Sequence, residues 1–262
     1  DFYSHKVFSL DMDGNSEVVV KVPGQPSGLG WMPDGTMLIV SMKDKKLLSF
    51  NNNALSEVAD LSNLAGFHCN DMVVDDHGNA YVGNFGFNTY SGEEIKPANL
   101  ILVRPGEDPC VAADDLLFPN GTVITPDGKT LIIGETYAAR LTAFDINEDA
   151  TLSNRRVWAD FTLDADEGNV PLPDGMCLDV EGAIWVASPS TAEVIRVKEG
   201  GEIFDRIPVE TNAYACMLGG EDLKTLFICT SNASGVDPES ALREKSGKIE
   251  TVTVEVQGAG KP

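Results

Sequence analysis

Positive charge is scarce in this chain of 262 residues: 19 Lys and Arg stand against 41 Asp and Glu, a formal net charge of −22. A phosphate backbone is held by Lys and Arg, so nucleic acid is excluded as a partner, and an anionic membrane surface is disfavoured on the same ground. Long apolar runs are missing too. No stretch approaches the length of a membrane span, which argues against a membrane partner. The five cysteines (Cys69, Cys110, Cys177, Cys216, Cys229) show no CxxC spacing. An odd, scattered set reads as reduced core thiols in a cytoplasmic setting, not as a disulfide framework or a zinc site. No helical period of any length runs through the chain.

What the chain does have is one phrase repeated. A small polar residue is followed eight positions later by a glycine and then by a short apolar strand: SGLGWMPDGTMLIVS from Ser27, NDMVVDDHGNAYVG from Asn70, NGTVITPDGKTLIIG from Asn120 and DGMCLDVEGAIWVAS from Asp174. A degenerate fifth copy, ACMLGGEDLKTLFICT, starts at Ala215. The copies are spaced roughly 40–55 residues apart, the period of a repeat architecture. Asp-Gly between alternating apolar runs marks a hairpin, and two further strands complete each repeat. Four antiparallel strands at this period predict an all-β fold, a blade of a β-propeller repeated around a channel.

The front of the chain is out of phase. Ser4–Asp11 matches Asp44–Asn51, the third strand of its blade, and 16–22 matches the fourth. The pattern therefore predicts a six-bladed propeller whose first blade is incomplete in this chain, with two inner strands and their loop preceding Asp1. Its single domain, 1–262, divides into an outer hairpin of blade 1 (1–22), then blades at 23–65, 66–116, 117–168, 169–210 and 211–256.

Chemistry is expected where the copies disagree. The first position reads Ser27, Asn70, Asn120, Asp174, Ala215, and in a propeller these positions converge on one mouth of the channel. Carboxamide and carboxylate oxygens suit a hard cation such as Ca²⁺, which takes roughly six to eight oxygens. Two carboxamides and one carboxylate leave that shell incomplete, so waters or a carboxylate from the first blade must finish it. Asn, Asp and Ser ahead of Gly are also ordinary turn formers. Turn chemistry alone, however, does not require Asp in one copy and Ala in another. Glu135, Asn84 and Ser188, at the ends of second strands, are expected to be structural and to lie away from the mouth. The segment 85–99 is a candidate lid, 235–248 a solvated loop and 257–262 a frayed tail.

The phrases PNGTVITPDGKTLIIGET, LPDGMCLDVEGAIWVAS and HCNDMVVDDHGNAYVGNFG resemble the fourth, fifth and third blades of the regucalcin/gluconolactonase (senescence-marker-protein) family. The resemblance covers nearly the whole chain. It implies a six-bladed propeller with one divalent cation (Ca²⁺ first, with Zn²⁺, Mg²⁺ or Mn²⁺ as alternatives) hydrolysing sugar lactones or related esters, small-molecule substrates. It also implies that Asn120 and Asp174 are metal ligands, that Asp174 is the catalytic carboxylate and that Asn70 faces substrate. The family's further glutamate ligand would lie upstream of residue 1. Where some members carry an arginine two residues before that asparagine, this chain has His68, a candidate substrate contact. The readings left open beside a lactonase are a phosphotriester or aryl esterase on the same metal site and a propeller that binds a cation or ligand without turnover; a metal-independent condensing propeller of the strictosidine synthase type is disfavoured. A monomer or weak dimer is expected.

Overall fold

The turn glycine of each repeat sets the local geometry. Gly35, Gly78, Gly128 and Gly182 all hold φ between 69° and 85°, the left-handed region that an L side chain enters only with strain. A carboxylate clamps each turn from inside: Asp34 Oδ1 accepts from Thr36 N, Asp75 Oδ1 from Asn79 N, and Asp179 Oδ1 from Ala183 N. Tight reversals of this kind leave no room for a helix, and the apolar runs on either side pair as strands.

The computed structural model describes residues 1–163, 169–233 and 238–260. The chain forms two compact units, Asp1–Leu116 and Leu117–Pro262. In the first, a hairpin of β1 (Lys6–Leu10) and β2 (Ser16–Lys21) is followed by two antiparallel meanders. One meander consists of β3 (Pro26–Trp31), β4 (Met37–Ser41), β5 (Lys46–Asn51) and β6 (Ala54–Asp60). The other consists of β7 (Cys69–Val74), β8 (Ala80–Asn84), β9 (Ala98–Val103) and β10 (Cys110–Leu116). Leu38, Val40 and Leu47 from one meander pack against Met72, Val82 and Ile101 from the other. Val7 and Val22 fasten the hairpin to Ile39.

The second unit repeats the plan. It holds β11 (Pro119–Ile124), β12 (Thr130–Glu135), β13 (Arg140–Ile146) and β14 (Leu152–Asp160), then β15 (Met176–Leu178), β16 (Ile184–Ser188), β17 (Glu193–Val197) and β18 (Ile203–Pro208). A third sheet holds β19 (Asn212–Gly219), β20 (Thr225–Ser231) and β21 (Lys248–Thr253). Each core lies between facing sheets, so β8, β16 and β17 are buried along their whole length while β2, β6 and β18 are largely exposed. Val123, Ile132 and Leu141 meet Met176, Ile184 and Val186, and Trp185 and Val194 meet Leu218 and Ile228.

Four expectations are corrected. Among the described residues there are five blade-like sheets rather than six, because the β1–β2 hairpin has no inner pair of strands. Residues 238–244 form a short helix, α1 (Pro238–Glu244), within the segment 235–248 read as a loop, of which 235–237 lie outside the described residues. The tail is pinned instead of frayed as far as it is described: Gly258 N donates to Leu223 O, Ala259 N donates to Leu178 O, and Asp179 bridges Gly258. Cys69, Cys177 and Cys216 are core thiols, and burial pushes Cys69 up to about 12, but Cys110 is only half-buried and Cys229 is exposed. No helix among the described residues is long and apolar enough to cross a membrane.

A second class of glycine has a different purpose. A Cβ on Gly121 would lie 2.3 Å from Asp174 O, one on Gly28 2.6 Å from Met72 N, and one on Gly175 2.8 Å from Ala215 Cα. These are inner-strand residues touching the next inner strand, backbone to backbone. Gly121→Ala must therefore push two sheets apart, whereas Gly128→Ala meets open space and bears only φ strain. Gly121→Ala is expected to cost about 2–3 kcal/mol and Gly128→Ala about 1 kcal/mol. Denaturant unfolding checks this, and equal losses would contradict it.

Candidate active site

Asn120 opens β11 and Asp174 stands just before β15. Antiparallel pairing places Pro119 opposite Glu135, so β11 starts beside the end of β12 and its following turn, which supplies Thr136. Asn120 is 6% exposed, and its Nδ2 donates to Thr136 Oγ1 at 3.2 Å. Thr136 Oγ1 in turn donates to Pro173 O at 2.7 Å. One hydroxyl thus ties the Asn120 side chain to the residue preceding Asp174. Asp174 N donates to Ala187 O at 2.9 Å, and the contact at Gly121 sets the two strand starts against each other. With the Asn120 NH₂ committed to Thr136, the carboxamide oxygen is the other end of a fixed group. Partly exposed Asp174 supplies a carboxylate at the neighbouring start.

The ends of the second strands brace these starts. Glu135, fully buried, accepts from Leu117 N (2.9 Å), Arg140 Nε (2.9 Å) and Thr142 Oγ1 (2.5 Å), and Arg155 adds a longer ion pair. Asn84 Oδ1 accepts from Gly66 N and Gly86 N, and Ser188 Oγ accepts from Leu172 N. In each case a buried polar side chain satisfies a backbone N–H of the loop leading into the first strand of its own sheet, which would otherwise be a costly orphan. Their role is structural, as expected. Their position is not, because antiparallel pairing puts the end of each second strand beside the start of the first.

In the other unit, Ser27 Oγ donates to Asn70 O at 2.7 Å, so the polar residue of the first copy is spent on holding the second. Asn70, partly exposed, lies in β7 next to Asp71. Asp71 occupies the place held by glycine in three other copies and was missed by the sequence reading; a carboxylate where the phrase has Gly28, Gly121 and Gly175 was the available signal. It accepts from Met72 N at 2.9 Å, and desolvation raises it to about 6.

His68 lies on the loop before β7 within an aromatic cluster. Its ring stacks on Phe67 (centroids 4.1 Å apart, 17° between planes) and lies 6.0 Å from Phe85 and 5.7 Å from Tyr90. Phe85 and Phe87, from the segment proposed as a lid, are buried, and Asn88 caps a short 3₁₀ turn that presents Tyr90. Burial depresses His68 to about 4, with Lys43 and Lys45 adding to the effect, so the imidazole is neutral near pH 7. Its Nδ1 is buried and has no hydrogen-bond partner among the described residues.

The unfolded chain binds a proton on His68 near 6.5 and the folded one only near 4. His68 therefore contributes stability that is present above 6.5 and is lost as pH falls through that window. His68→Gln is expected to narrow the stability difference between about pH 7 and about pH 4.5, as read by denaturant midpoints. An unchanged difference would contradict it.

Comparison with known proteins adds three findings. A 6-deoxy-6-sulfogluconolactonase of Pseudomonas putida is 24% identical over 100% of this chain and 88% of its own length. Xenopus laevis regucalcin is 30% identical over 70% of this chain and 61% of that protein. The crystal structure of a calcium-binding regucalcin from Agrobacterium tumefaciens superposes with a TM-score of 0.80 at 22% identity, covering 100% of this chain and 86% of that one. The fold is an all-β propeller. The profile described as the SMP-30/gluconolactonase/LRE-like region matches residues 1–232, and the chain belongs to that family.

Proposed function

We propose that this chain hydrolyses a sugar lactone or related cyclic ester with the help of one divalent cation held by Asn120 and Asp174. A lactonase is the enzyme class its relatives support. The observation that supports the reading is the backbone contact between the start of β11, where Asn120 is fixed through Thr136, and the start of β15, just after Asp174. Among the described residues no three His, Cys, Asp or Glu side chains gather as a metal cluster. The donors at these starts are hard oxygens, the chemistry that Ca²⁺ accepts, with water or a further carboxylate completing the shell. When bound, such a cation supplies Lewis-acid polarisation of the lactone carbonyl.

The chain's own groups account for the remaining steps. The Asp174 carboxylate takes a proton from the attacking water as its oxygen bonds to the carbonyl carbon. The ring C–O bond then breaks, and that proton passes to the departing ring oxygen, giving the open hydroxy acid. The family resemblance assigns substrate orientation to Asn70, whose carboxamide both gives and accepts hydrogen bonds. The same resemblance makes His68, neutral and stacked on Phe67, a candidate substrate contact.

Asp174→Ala is expected to abolish lactone hydrolysis, with a fall in kcat/KM of about a thousandfold or more, and to weaken Ca²⁺ binding by calorimetry in the same variant. Hydrolysis that survives both the substitution and a chelator would refute the reading.

A further inference from the structure

On a chain of net charge −22, one stretch runs against the trend: Lys43, Lys45 and Lys46 cluster around Asp44. They form the turn between β4 and β5, and that turn is fastened to the loop that carries His68. Cys69 N donates to Met42 O at 3.1 Å and Lys45 Nζ donates to Ala65 O at 3.0 Å. The residues between those two anchor points are Gly66, Phe67 and His68. The turn thus lies against His68, close enough that Lys43 and Lys45 both act on its ring electrostatically.

The charges of the turn are unequally spent. Lys46 is paired with Glu57 at 2.7 Å, and Asp44 Oδ2 accepts from Ser41 Oγ at 2.8 Å. Lys45 rests on a carbonyl, which fixes its position without neutralising it. The exposed Lys43 side chain makes no hydrogen bond or ion pair among the described residues, although its backbone is held by Gly24 O at 2.9 Å. On the loop fastened to this turn, Nδ1 of His68 is buried without a hydrogen-bond partner among the described residues. An unspent ammonium thus stands on a turn fastened to the loop that carries His68 and Phe67 and leads to Asn70.

We propose that the ligand received here carries an anionic substituent, a carboxylate or a sulfonate, held by Lys43 with Lys45 behind it, on the turn fastened to the His68 loop. Charge-assisted contacts of this type favour an anion over its neutral analogue. The global negative charge sharpens the local choice, since an anion is held only where cations are left unpaired. The lactone ring in this inference rests on the hydrolase reading; the anion rests on the turn alone.

The test uses ring compounds that cannot be hydrolysed, so that binding is read apart from turnover. Calorimetry on the full chain compares D-glucuronate, 6-deoxy-6-sulfo-D-glucose and D-glucose, and the two anions distinguish carboxylate from sulfonate. At least one anion is expected to bind about fivefold or more tightly than glucose. That ratio is expected to fall to about one in Lys43→Ala and to invert in Lys43→Glu. Equal affinity of anions and glucose, a ratio that survives Lys43→Glu, or no measurable binding of either anion overturns the inference. A Lys43-dependent preference in a protein that opens no lactone would support it while sinking the hydrolase reading.

Discussion

Neighbouring inner strands approach each other backbone to backbone near their starts, and the rest of each unit is arranged around that contact. Gly28 against Met72, Gly121 against Asp174 and Gly175 against Ala215 leave no room for a Cβ. With side chains removed from that contact, the polar residue immediately before each glycine is brought near the next strand's start. The same geometry that packs sheet on sheet therefore brings the start of β11 to the start of β15, with Asn120 tied through Thr136 to Pro173, and Ser27 to the Asn70 carbonyl. Thr136 and the buried ends of the second strands then lock the loops, because backbone N–H groups there have no ladder partner.

Burial, more than neighbouring charge, sets the electrostatics of the residues around Asn70. Desolvation lifts Asp71 and lowers His68, and in both cases it favours the uncharged form. On so acidic a chain, the cations that matter are the few not consumed by carboxylates. Lys46 is consumed by Glu57 and Arg196 by Asp179 and Glu181, and the Lys43–Lys45 turn is the exception nearest to His68. Composition gave the sign of the average charge, but the functional contrast lies in its local departures.

Much of this was legible in the sequence. The Asp-Gly turns fixed the hairpins because positive φ has a residue signature, and the repeat period gave the strand order. Asn120 and Asp174 stood out because the phrase varies at their position, and the structure places their strand starts in contact. Glu135 was read correctly as structural and misplaced, since the argument neglected that antiparallel pairing returns the second strand to the start of the first. The pinning of Gly258 was invisible because it depends on Leu223 and Leu178, far away in the chain. His68 was flagged, but its stacking on Phe67 and its closeness to Lys43 come from a turn some 25 residues earlier, which no local pattern encodes. Asp71 was overlooked although the signal, a carboxylate in a glycine's place, was in plain view.

A calorimetric double-mutant cycle on Ca²⁺ binding, with Asn120→Ala, Asp174→Ala and the pair, bears most directly on whether the two strand starts hold one ion. If both side chains serve the same cation, each single variant weakens binding and the double variant loses clearly less than the sum of the two, the non-additivity expected of coupled ligands. Additive losses, or Ca²⁺ binding that ignores both substitutions, would contradict a cation held between β11 and β15.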